Sequence, residues 1–351
     1  MIGSIATGIA TGIGSLPGTD PIAAARLLYD ELPELPHIAE LPARGPSAGL
    51  VGRTAGLLVD LPVDLQPAGW RLVDRPGADQ RRAMSMLRQD LDALDEVFDG
   101  YAGPLKLQVG GPWTLAATLE KTRGDKVLSD HGARRDLTES LAEGVRLHVV
   151  EVARRLPGAT IVLQLDEPGL PAVLAGDVPT VSGFGRLRVV DAAAAQTALA
   201  AVIDAAGVPV LVHCCALDVP VGLLRRAGAA GVAFDLSIFP RNDPQTAELA
   251  EAAEAGVVLV VGAVPSTPQS SSEASGRSSS RSEPDPGGEV GALRSLVARL
   301  WQRLDQPPDA LAATVVVTPA CGLAGGSDAF ARTAMRRARE VARALTDDPE
   351  F

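Results

Sequence analysis

Short, nearly uninterrupted apolar runs alternate along the chain with longer stretches whose apolar positions recur every three or four residues. Eight runs stand out: ATGIGSLP (10–17), LPHIAEL (35–41), LKLQVGGP (105–112), IVLQLDEP (161–168), VPVLVHCC (208–215), GVAFDLS (231–237), VVLVVGA (257–263) and TVVVTPACG (314–322). Runs this rich in Val, Ile and Leu suit parallel strands covered on both faces. Between them, Met84, Leu87, Leu91, Leu94 and Phe98 fall at helical spacing within 80–98, and Leu137, Leu141, Val145 and Val152 do so within 136–155. Eight strands joined by helical crossovers predict an α/β protein, a single-domain (β/α)8 TIM barrel over residues 1–345. A doubly wound open sheet is the competing arrangement. The second run is the weakest strand, and the proline-rich 33–76 region around it reads as long loops.

One segment breaks the pattern. STPQSSSEASGRSSSRSEPDPGG, 266–288, is too polar and too rich in Ser, Gly and Pro to pack a core, so it reads as a disordered insertion. It follows the seventh run, which in a barrel places it on the C-terminal face, as a tolerated surface insertion or a mobile lid. The chain end, LTDDPEF, reads as frayed.

Composition narrows the setting. With 46% hydrophobic and 21% charged residues the chain reads as soluble and globular, and at 3% aromatic its core must be Ala, Val, Leu and Ile. A formal net charge of -11 repels phosphate backbones and anionic lipid, so neither nucleic acid nor membrane is an expected partner. The N-terminus MIGSIATGIATGIG lacks a basic n-region, and the three cysteines cannot all pair with one another. A reduced, cytoplasmic protein is the expectation.

The chemistry gathers at the strand ends. Side chains alternate along a strand, so in PVLVHCC the imidazole of His213 and the thiol of Cys215 face the same way, while Cys214 faces the opposite way as a small core residue. Cys321 ends the eighth run, and three such ligands on two strand ends suit zinc, which favours sulfur and nitrogen. Asp235, closing GVAFD, is a plausible fourth ligand. Ser15, Glu40, Asp166 and Glu167 end other strands and would meet at the same face, where barrel enzymes place their catalytic residues. Taken singly, each acid reads as a solvated loop charge. Together with a metal they would suit a zwitterionic amino acid, the carboxylates holding its ammonium and the metal its side chain. Of the other histidines, His148 falls within a helix, His131 in a loop, and His37 near enough to the second strand to approach the site.

These strand-end motifs resemble the C-terminal catalytic barrel of cobalamin-independent methionine synthase, in a short, single-barrel form. IGSLP (13–17) and AELPAR (39–44) resemble its first two strand motifs, GPWTL (111–115) its Gly-Pro-x-Thr-Leu loop, and QLDEP (164–168) its fourth-strand motif. HCC (213–215) resembles its His-x-Cys zinc pair, and PACGL (319–323) its Pro-Asp-Cys-Gly-Leu zinc motif. The resemblance implies His213, Cys215 and Cys321 as zinc ligands. It implies Ser15, Glu40 and Asp166 as contacts to the amino-acid part of homocysteine, Asp166 serving also as the catalytic carboxylate. The family's remaining ligand is a glutamate, and here its place falls to Asp235, shorter by one C–C bond of about 1.5 Å.

The implied reaction is methyl transfer to the homocysteine thiol, giving methionine. A free thiol of pKa about 8.5 is mostly protonated at neutral pH, and coordination to zinc strips that proton to leave a thiolate nucleophile. Departures from the family bear on the methyl donor. GAVPS (262–266) lacks the histidine of the family's seventh strand, Ala320 stands where the family has an acid, and AGG replaces the basic residues that follow. The long enzymes bind folate with help from a second, N-terminal barrel that is not visible in these 351 residues. Methyltetrahydrofolate and a methylated corrinoid protein both stay open as donors. Alkyl transfer to another thiol, and a catalytically silent zinc or homocysteine binder, are the alternatives. The uroporphyrinogen decarboxylases share the barrel but need no zinc.

Overall fold

The computed structural model describes residues 8–239, 242–268 and 286–348. The proline-rich N-terminal stretch holds more order than its composition announces: β1 (Val63–Gln66) and β2 (Gly69–Leu72) form an antiparallel hairpin, preceded by a short helix, Leu50–Ala55. Six of the eight apolar runs then become strands: β3 (Pro104–Gly110), β4 (Thr160–Asp166), β5 (Val210–Cys214), β6 (Gly231–Asp235), β7 (Val258–Val264) and β8 (Val315–Pro319). They lie side by side in chain order, every pair parallel. A doubly wound sheet reverses its strand order at a switch point, and this sheet has no reversal.

The first two runs are extended but do not become strands. Single parallel bridges hold them, Ala10 to Val317 on β8, Ser15 to Glu40, and His37 to Lys106 on β3. Gly12, Gly14 and Pro17 interrupt the first run and Pro36 the second, and both residue types weaken a strand interior. The result is a curled six-stranded sheet whose two edges are linked through segments 8–16 and 36–40.

Alternation sorts the interior into layers. Ile9, Leu35, Val162, Leu211, Ala233, Val258, Val260 and Val316 form a small apolar core of their own at the N-terminal ends of the strands. The next inward positions are polar and buried: Lys106, Gln108, Gln164 and Thr318, with His37 beside them. One step further, Asp166, His213 and Cys215 reach the mouth. The outward-facing residues of the same strands join the large core beneath the helices.

Two helices meet their expectations with shifted edges. The helix Ala78–Val97 buries Leu87, Leu91 and Leu94 but leaves Met84 38% exposed, because Ala83 and Gln80 occupy the buried face of its first turns. Gln80 sits there by hydrogen bonding: it accepts from the Val63 N–H and donates to the Ala55 carbonyl. The helix His131–Arg155 starts five residues before 136, capped by Asp130, so His131 is its first residue rather than a loop residue. His148 is buried within it. Residues 269–285 of the Ser-rich insertion and 349–351 of the chain end lie outside the described residues. Among the described residues no helix is long and apolar enough to cross a membrane.

Candidate metal and substrate site

Register builds the centre of the site. Asp166 pairs with His213 across β4 and β5, and His213 Nδ1 donates to Asp166 Oδ1 at 2.7 Å. His213 is buried, and its Nε2 has no partner. Cys215, one inward step beyond, brings its Sγ to 3.3 Å from that of Cys321 on the loop after β8. The ligand atoms of His213, Cys215 and Cys321 all lie within 4.8 Å of one another. That loop is seated by the first segment: the Leu323 N–H donates to the Ser15 carbonyl at 2.7 Å. A Cβ at Gly322 would stand 2.0 Å from Ser15 Oγ, so a larger residue there would displace that hydroxyl.

A cavity of about 270 Å³ opens onto these groups, lined by Ser15, Glu40, Asp166, His213, Cys215 and Cys321, with Pro42, Ala48 and Leu50 as small apolar walls. The sequence places these six polar residues on five separate segments, and one cavity receives them all.

Electrostatics mark three of its groups. Burial pushes the Glu40 carboxyl up to about 7, although Arg53 pulls against that rise and Asp166 adds to it. Glu40 Oε1 is buried without a hydrogen-bond partner. The two thiols share a proton: the hydrogen bond between them holds Cys321 down to about 6 and pushes Cys215 far up. Two thiolates this close repel, so releasing the second proton calls for a cation.

Three strand-end residues do something else. Asp235 closes β6, yet its Oδ1 accepts from the Ser237 N–H (2.8 Å) and hydroxyl (2.6 Å), and it stands outside the His/Cys/Cys cluster. Cys214 is fully buried in the outer core, and burial pushes its thiol up to about 12. Glu167 also faces outward. Its carboxylate accepts from the N–H groups of Trp113 (2.9 Å) and Thr114 (2.7 Å) and from the Thr114 hydroxyl (2.7 Å). It thereby anchors the helix Pro112–Thr118 to the end of β4, and Gly111 leaves it room: a Cβ there would lie 2.3 Å from Glu167 Oε1. The motifs GPWTL and QLDEP meet through this clamp.

Sequence reasoning missed the layer beneath the site. Lys106 is fully buried; its Nζ donates to Gln164 Oε1 at 2.7 Å and to the Ile13 carbonyl at 3.0 Å. Gln164 Nε2 donates in turn to the Ile13 carbonyl (2.8 Å) and to Asp166 Oδ1 (2.7 Å). The signal was present: Lys106, Gln108 and Gln164 occupy alternate positions in otherwise apolar runs. His37, near enough to the second run to approach the site, packs against Gly12, below the cavity.

The sulfur–imidazole cluster lies at the C-terminal ends of the parallel strands, the face on which barrel folds build their sites. No family model and no curated protein sequence matches this chain. Among solved structures it is similar to a B12-independent methionine synthase from Shewanella sp. W3-18-1, determined in complex with selenomethionine. The two share 12% identity, with a TM-score of 0.58 over 98% of this chain and 99% of that one. A β-glycosidase from Thermosphaera aggregans aligns over 97% of this chain and 98% of its own length, at 12% identity and a TM-score of 0.41. The first likeness establishes the fold and nothing finer.

Proposed function

We propose that this protein is a zinc-dependent methyltransferase that methylates the thiol of homocysteine to give methionine. The observation that carries the reading is the single cavity, which joins the His213/Cys215/Cys321 cluster to Ser15, Glu40 and Asp166. In this reading the chain works as one catalytic barrel, with segments 8–16 and 35–41 as its first two staves.

The donor set fits the metal. One imidazole and two thiols suit zinc and disfavour hard cations such as magnesium. The buried, unpartnered His213 Nε2 needs an electron-pair acceptor, and the shared proton of the cysteine pair is one a cation displaces. Three protein ligands leave the fourth position for the substrate thiol, the arrangement of catalytic rather than structural zinc. Zinc bound there supplies a Lewis acid that favours the deprotonated thiol at neutral pH.

The chain's own residues do the rest. Glu40 Oε1, buried and unpartnered, accepts one hydrogen bond from the substrate ammonium. Asp166 uses Oδ1 for Gln164 and His213, and its Oδ2, free of hydrogen bonds among the described residues, takes another. The Ser15 hydroxyl orients the substrate carboxylate. The small volume and the Pro42, Ala48 and Leu50 walls hold a short aliphatic chain in line between ammonium and thiol.

Metal analysis of the reduced protein, followed by mass spectrometry of methionine made from homocysteine with methyltetrahydrofolate or a methylated corrinoid protein, tests this reading. About one zinc per chain and methionine from either donor support it. A folded protein that neither contains nor takes up zinc rejects it, and turnover of a different thiol alone moves the acceptor. The missing seventh-strand histidine and Ala320 favour a second reading, a silent homologue, for which homocysteine binds and neither donor turns over.

A further inference from the structure

The buried layer under the cavity has a direction. A lysine ammonium is only a donor, and Lys106 Nζ points at Gln164 Oε1. The Gln164 amide therefore presents its NH2 on the other side, where it meets two acceptors, the Ile13 carbonyl and Asp166 Oδ1. Asp166 Oδ1 in turn faces His213 Nδ1 at 2.7 Å. Each link sets the polarity of the next. The alternative orientation of Gln164 would put its carbonyl against both the Asp166 carboxylate and the Ile13 carbonyl, and its NH2 against an ammonium.

We propose that Lys106 is a positioning residue whose ammonium orients Gln164 and Asp166, and through them holds His213 as the Nδ1–H tautomer with Nε2 facing Cys215 and Cys321. A buried ammonium is costly, and a neutral residue would fill the space beneath Gln164 at less expense. Lys106 is one of only three lysines in the chain and has no exposed surface. Its two hydrogen bonds go to the backbone of the first segment and to Gln164, so it ties that segment to β4 beneath the cavity. The inference rests on the functional reading only in giving Nε2 a metal to bind.

The test is the long-range 1H–15N spectrum of the histidine side chains, recorded on the reduced full chain near neutral pH with and without zinc. The chain has four histidines, and His213 is assigned by the signal lost in His213→Gln. The wild type is expected to show His213 protonated at Nδ1. Lys106→Met and Gln164→Glu are expected to lose that signature, and to weaken zinc binding in chelator competition by about tenfold or more. Gln164→Glu keeps the side chain's size and an acceptor for Lys106 but cannot donate to Asp166. It decides the matter if Lys106→Met fails to fold. A His213 spectrum unchanged in the folded variants overturns the inference. A wild type with the expected tautomer but no affinity for zinc leaves the positioning role standing and removes the zinc reading instead.

Discussion

At the ends of β4 and β5 two pairs of neighbours have opposite fates. Asp166 and Cys215 open into the cavity; Glu167 and Cys214, one residue away, turn outward into the packed shell. Residue type does not distinguish them. Face does, since successive side chains of a strand point to opposite sides of the sheet. The inward carboxylate keeps an oxygen for a ligand, whereas the outward one uses both oxygens on backbone and hydroxyl donors. The same contrast divides the cysteines: Cys215 shares a proton with Cys321, and Cys214 is an ordinary buried thiol.

The cysteines offer the largest effect. Cys215→Ser and Cys321→Ser are expected to lower zinc affinity by roughly a hundredfold or more, beyond the range of outer-shell changes. Cys214→Ser is expected to keep zinc and to lose about 1–3 kcal/mol of stability, because it puts a hydroxyl in place of a thiol in the apolar outer core. Chelator competition and urea unfolding on the three variants read both quantities. Equal zinc loss in all three would show that the two faces are not distinct.

The carboxylates come next, with the roles of the two measurements exchanged. Glu167→Ala strips three donors at the start of the helix Pro112–Thr118 and is expected to cost about 3 kcal/mol of stability. Asp166→Asn is expected to change stability by about 1 kcal/mol or less and to weaken homocysteine binding about a hundredfold, a charged donor having lost its anion. Calorimetric titration beside urea unfolding separates the two. A variant that loses both in equal measure would place the two acids in one network.

How far this division was legible in the sequence follows from its physics. The six strands read directly from near-continuous Val-rich runs, and the facing of His213 against Cys214 from alternation within one of them. The first two staves did not become strands, because a glycine or proline every few residues defeats the ladder that their hydrophobicity suggests. The hairpin β1–β2 hid in a proline-rich stretch that reads as loop. Gln80 and Lys106 occupy buried positions through hydrogen bonds to distant carbonyls and side chains, and hydrophobic patterning cannot show those. Ser15, Glu40, Asp166, His213, Cys215 and Cys321 were all legible as residues at strand ends. That they share a cavity depends on how the sheet curls.

Glu40 sharpens the comparison by pH. Its folded pKa is raised from 4.5 to about 7, so the folded state holds the proton more tightly than the unfolded chain. That contribution to stability is complete below 4.5 and is lost as pH rises through 7. Glu40→Gln is therefore expected to stabilise the protein by about 3 kcal/mol near pH 8, with the gain fading towards pH 4, while weakening homocysteine binding. Burial moves Lys106 the other way, from 10.5 down to about 7, so the difference between variant and wild type, rather than either curve alone, reads Glu40. A gain that does not depend on pH would mean that folding leaves the Glu40 pKa where it is in the unfolded chain.

The smallest effect is expected at Asp235, where the resemblance and the structure part. The family pattern gives this position a metal ligand, and alternation from Gly231 and Ala233 aims it at the concave face of the sheet. Its carboxylate instead closes a turn on Ser237, with the N–H and the hydroxyl both donating to one oxygen. Leaving that turn would forfeit two hydrogen bonds, each worth about 1 kcal/mol, to reach a cluster already holding three ligands. Asp235→Ala should accordingly change zinc affinity by less than about threefold, equivalent to under about 0.7 kcal/mol. It should lower stability by about 1 kcal/mol through the lost turn bonds. Cobalt substitution gives an independent view, because the ligand-field bands of a site that holds no carboxylate stay where they are in the variant. A shifted spectrum together with tenfold weaker metal binding would return Asp235 to the metal and make the fourth position one the substrate must win from the protein.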